Sequence, residues 1–121
     1  MQKRSLPLLA AVALALGTAA AFAHAFLDRA SPAVGSTTHG SPPEVRIWLT
    51  QGVEPAFSTI EVTDASGKRV DKGNASVDPN DNKQLTVSLP NLPPGTYKVT
   101  WRVTSVDTHQ TSGNFTFKVE P

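Results

Sequence analysis

Beyond its first two dozen residues the chain is patterned with a period of two. From Gly95 to Ser105, Tyr97, Val99, Trp101 and Val103 share one parity, and Lys98, Thr100 and Arg102 take the other. From Asn114 to Glu120, Phe115, Phe117 and Val119 alternate with Thr116, Lys118 and Glu120. Shorter runs repeat the pattern: Val45, Ile47 and Leu49 against Glu44, Arg46 and Trp48, then Ile60 and Val62, then Leu85, Val87 and Leu89. Successive side chains of a strand point to opposite faces, so alternation rich in β-branched and aromatic residues predicts half-buried strands. Turn-forming clusters separate the runs: Ser41-Pro42-Pro43, Ala65-Ser66-Gly67, Asp78 to Asn82, and Leu92-Pro93-Pro94-Gly95. About seven short strands so punctuated predict one all-β domain, a small antiparallel β-sandwich with Greek-key connections. Tyr97, just after Pro-Pro-Gly, is placed to act as a tyrosine corner. Trp101 lies on the apolar parity and reads as core. Trp48 lies on the polar parity and reads as partly exposed or as cover for the second sheet.

The amino-terminal segment breaks this pattern. Lys3 and Arg4 precede an apolar stretch from Leu6 to Leu16, and Ala21-Phe22-Ala23 has the small-residue form of a cleavage site. Residues 1–23 are therefore expected to be a secretory signal peptide, and residues 24–121 the mature domain. The apolar stretch is too short to span a bilayer, so the mature protein is expected to be soluble and exported. Removing 23 of 121 residues leaves 98, with nine Lys+Arg against ten Asp+Glu, so the formal charge of +1 becomes −1. No basic run survives, which argues against nucleic acid or an anionic membrane surface as the main partner. The chain has no cysteine, and its one methionine goes with the leader. Without these soft ligands a Cu(I) site is disfavoured; a metal site must use imidazole, amine and carboxylate.

Cleavage after Ala23 makes His24 the first residue, carrying a free α-amine and an imidazole that together can close a chelate ring on a metal ion. Asp107-Thr108-His109 follows the longest alternating run and precedes Gly113, which places it in the loop joining the last two strands or at its rim. Residues two apart in an extended segment point to one side, so the Asp107 carboxylate and the His109 imidazole can approach the same ion. Each feature alone also fits a plainer account: a polar loop whose Asp and His bond locally, and a histidine that follows the cut by accident. The coincidence of the two in a chain with three histidines carries the metal hypothesis. The third, His39, lies in the polar stretch Gly35 to Gly40 and is expected to be an exposed loop residue without a role. No G-x-S-x-G elbow and no glycine-rich loop before a helix is present, so neither a hydrolase nucleophile nor a phosphate cradle is expected.

These same residues resemble the CopC family of periplasmic copper-binding proteins. Gly95 to His109 resembles the family's most distinctive segment and continues through Ser112 to Val119. His24-Ala25-Phe26-Leu27, followed by Ser31 to Ser36, resembles its amino-terminal pattern, so the likeness spans essentially the whole mature domain. It implies a Greek-key barrel or sandwich of cupredoxin-like or immunoglobulin-like shape. It further implies one Cu(2+) per mature chain, held by the amine and imidazole of His24, the carboxylate of Asp107 and the imidazole of His109. The family often adds a glutamate after the second strand; alignment puts Gln51 there, with Glu54 three residues on. Some members carry a methionine-rich loop for Cu(I), which this chain lacks, so a Cu(II)-only member is implied. The expected function is that of a periplasmic copper carrier or chaperone in resistance, homeostasis or uptake. It would sequester copper or pass it to an inner-membrane transporter resembling the family's CopD partner. Two other classes compete. One is a copper enzyme of the histidine-brace type, like polysaccharide monooxygenases, which leaves coordination positions open where Asp107 would sit. The other is a metal-free interaction sandwich, in which His24 and His109 would lie far apart.

Overall fold

The alternating runs become strands whose apolar parity faces inward. A computed structural model describes residues 25–121, so the expected leader and His24 lie outside the described residues. The strands are β1 (Leu27–Ser31), β2 (Thr37–His39), β3 (Glu44–Leu49), β4 (Thr59–Thr63), β5 (Ser76–Asp78), β6 (Asp81–Ser88), β7 (Gly95–Thr104) and β8 (Gln110–Glu120). One sheet has the order β1-β3-β6-β5 and the other β2-β8-β7-β4. Among the described strands, the β5–β6 and β7–β8 hairpins alone join neighbours within a sheet; every other connection crosses between the two layers. The result is the all-β sandwich expected from the alternation.

Val45 and Ile47 of β3, Ile60 and Val62 of β4, Leu85 and Val87 of β6, and Val99 of β7 are fully buried where the layers meet. The Tyr97 hydroxyl donates to the Pro93 carbonyl at 2.5 Å, the tyrosine corner expected there. Its ring stacks on Phe117 of β8, with centroids 5.8 Å apart. Trp101 is core. Trp48 faces outward and is half-buried, covered by the Arg29 guanidinium 3.8 Å from its ring centroid, a cation–π contact.

The stretch from Gly35 to Gly40, expected as a loop, contains the short strand β2. It runs parallel to β8, pairing Thr37 with Lys118 and His39 with Glu120. Its backbone groups complete the free edge of β8: Lys118 N–H donates to Ser36 O at 2.9 Å, and Gly40 N–H to Glu120 O at 2.7 Å. Edge pairing of this kind uses main-chain groups and needs no apolar alternation. His39 itself is exposed, as expected. Among the described residues no helix is long and apolar enough to cross a membrane.

Candidate metal centre

β7 and β8 are the longest strands, pairing from Gly95↔Val119 to Thr104↔Gln110. Their joining turn is therefore held at one end of the sandwich. Ser105 N–H donates to His109 O at 2.8 Å, and Thr108 N–H to Ser105 O at 2.8 Å. The segment Gly52 to Glu54 braces the turn from outside the hairpin. Val106 N–H donates to Gly52 O at 3.0 Å, Glu54 N–H to Thr104 O at 2.8 Å, and Val53 bridges Ser105.

Asp107 and His109 meet here, with Oδ1 of the carboxylate 3.3 Å from Nδ1 of the imidazole. Convergence was expected from an extended segment; the structure achieves it differently. Thr108 has a left-handed φ of +74°, and the resulting tight turn folds the two side chains together. Both are exposed, so they offer an oxygen and a nitrogen to solvent. Adjacent donors on a coordination sphere of roughly 2 Å radius lie about 2.8 Å apart, close to the separation seen. Asp107 is held below the ordinary carboxylate range, first by the Ser105 hydroxyl, then by the His109 side chain and N–H. It is therefore ionised at neutral pH, the form a cation requires.

The start of the described chain lies against this hairpin. Ala25 is fully buried, and its carbonyl accepts from the Thr111 hydroxyl at 2.6 Å, two residues beyond His109. Phe26 O accepts from Thr50 N–H at 2.8 Å. Glu54 lines a groove with Phe57, Val106 and Thr108 beside the turn. It does not join Asp107 and His109: among the described residues no cluster of three His, Cys, Asp or Glu forms. His39 sits on β2, at the edge of the second sheet, far along the sequence from the turn.

Sequence reasoning missed Ser105. It is fully buried, and its hydroxyl donates to Asp107 Oδ1. A signal was available: Ser105 continues the apolar parity of Tyr97, Val99, Trp101 and Val103, so a hydroxyl falls on a core position two residues before the aspartate.

The profile of the CopC domain family matches residues 27–120. Protein YobA of Escherichia coli K12 is 36% identical over 113 residues, covering 93% of this chain and 91% of that protein. Copper resistance protein C of Xanthomonas campestris pv. juglandis is 35% identical over 115 residues, covering 90% of each. The crystal structure of CopC from Methylosinus trichosporium OB3b superposes with a TM-score of 0.77 at 38% identity, covering 81% of this chain and 95% of that one.

Proposed function

Since this chain belongs to the CopC domain family, we propose that it is a periplasmic Cu(II)-binding protein that carries copper for resistance, homeostasis or uptake. The observation that carries the reading is the pairing of Asp107 and His109 at 3.3 Å on an exposed turn. The mooring of Ala25 to Thr111 supports a contribution from the residue before it. His24 would supply its α-amine and imidazole, Asp107 one carboxylate oxygen, and His109 its imidazole. Three nitrogens and one oxygen suit the tetragonal geometry of Cu(II), and the absence of cysteine and methionine from residues 24–121 leaves no soft ligand to favour Cu(I). One ion per chain follows from one such set.

Carriage is favoured over oxygen chemistry because the Asp107 carboxylate stands beside His109, where a copper oxygenase leaves a position open. An anionic oxygen also stabilises the harder Cu(II) ion. The ion would be exposed on the turn and thus open to exchange with an acceptor, such as a CopD-like transporter of the inner membrane.

Removal of residues 1–23 is part of the function. In the precursor the His24 nitrogen belongs to a peptide bond, and resonance ties up its lone pair; cleavage turns it into an amine ligand. Export and copper competence are thereby coupled.

The test is competitive Cu(II) titration with electron paramagnetic resonance on protein beginning at His24 and on protein with one extra residue before it. The native terminus is expected to bind at least about tenfold more tightly, a difference of about 1.4 kcal/mol. His109→Ala should cost a comparable factor and His39→Ala little. Identical affinities and spectra for the two termini would exclude the amine as a ligand and overturn this reading.

A further inference from the structure

We propose that Ser105 is a positioning residue for copper. Its buried hydroxyl holds the Asp107 carboxylate in one orientation toward His109, so that Asp107 meets the metal through a single oxygen. The inference rests on the proposed Cu(II) site and assigns it a residue that touches no metal.

Ser105 is immobile. It is fully buried, its N–H and C=O are both engaged within the turn at 2.8 Å, and it bridges Val53 of the bracing segment. Asp107, by contrast, is exposed on the turn and would sample several rotamers if nothing engaged its carboxylate. The remaining backbone contact, His109 N–H to Oδ1, is 3.5 Å long and weak. The serine hydroxyl has one proton and two acceptors in reach: Asp107 Oδ1, and the His109 carbonyl at 3.2 Å. The carboxylate is charged, hence the stronger acceptor, and takes it. The oxygen so engaged is the one that faces His109 Nδ1. One lone-pair direction of Oδ1 is occupied by Ser105, which disfavours a swing of the carboxylate to embrace an ion with both oxygens. Hydrogen bonds behind a metal's ligands orient them in this way, and their loss commonly weakens binding by about 10–100-fold.

The alternative is that Ser105 merely closes the hairpin. The backbone bonds of the turn survive Ser105→Ala, which should fold, so the two accounts separate in solution. Using the exported, processed protein and Cu(II) alone, Ser105→Ala is expected to weaken affinity by about tenfold or more. It should also change the copper hyperfine splitting in the paramagnetic resonance spectrum. In an Asp107→Ala background the same substitution should change affinity less than about twofold, because two residues acting as one unit do not add. Ser105→Thr, which keeps the hydroxyl, should restore the parent spectrum wherever circular dichroism shows the protein folded. Unchanged affinity and spectrum in Ser105→Ala would overturn the inference. So would an equal loss in the Asp107→Ala background, since Ser105 would then act through the turn rather than the carboxylate. A parent protein that takes up no Cu(II) would overturn the proposed function itself, and is told apart because it fails before any substitution is made.

Discussion

Thr108 holds a φ of +74°, a left-handed conformation that costs an L-residue roughly 1–2 kcal/mol and is least natural for a β-branched one. The surrounding turn imposes it: Thr108 N–H is bonded to Ser105 O, and its hydroxyl donates to Asp107 O. Glycine adopts this φ freely but loses more entropy on folding, so the gain is partly offset. Thr108→Gly is expected to stabilise the fold by about 0.5–1 kcal/mol in urea denaturation. A loss of stability instead would mean that the threonine hydroxyl outweighs the backbone cost. At this scale the sequence was partly legible. Asp107 and His109 stand out only together with His24, because a carboxylate and an imidazole two apart also fit a polar loop that bonds locally. Ser105 is marked only by continuing the apolar parity of Tyr97 to Val103, and Thr108 by nothing in the sequence, because hydroxyl residues abound here and its φ is set by the fold. His24 lies outside the described residues, so its part rests on the proposed site.

The β7–β8 pair sets the position of the turn, and its packing depends on a missing side chain. Trp101 lies opposite Gly113, and a Cβ on that glycine would fall 2.6 Å from Trp101 Cζ2. The indole thus fills the space across the neighbouring strand. Gly113→Ala forces the buried ring or the strand to shift and is expected to cost about 1–3 kcal/mol, read as a lowered denaturation midpoint. A midpoint equal to the parent's would show that the indole has room to move. Among the elements, β3, β4, β6, β7 and β8 were legible because each buries an apolar face and leaves the other face half-buried or exposed. β2 and β5 were not. Each has three residues, too few to display a period, and β2 is specified by the hydrogen-bonding edge of β8 rather than by its own Thr-Thr-His sequence.

Across the whole molecule, Asp64, Asp71, Asp81 and Asp107 are all held below the ordinary carboxylate range. At Asp71 burial alone would raise the value, but the Arg69 side chain and the N–H groups of Val62 and Gly73 outweigh it. Folded carboxylates with lowered values bind fewer protons than the unfolded chain does. Their contribution is complete above the ordinary range of about 4 and is lost as pH falls through the folded values. The urea midpoint is therefore expected to hold from neutral pH to about 5 and to decline below about 4. Asp71→Asn should start lower and decline less steeply; a parallel decline would show that Asp71 does not contribute to the acid slope.

The hydrogen bond from Thr111 to Ala25, at 2.6 Å, has a consequence for the proposed copper site. The Cα of residue 24 is separated from that of Ala25 by one peptide, about 3.8 Å. In the proposed site, donors on residue 24 would be tethered to the hairpin by that one peptide, giving them a local concentration on the order of millimolar or above. Closing that proposed ring around an ion would be an intramolecular step with little chain entropy left to lose. Grip on the ion becomes a function of slack in the free end: each residue inserted between 24 and 25 would dilute the same donors without changing one of them.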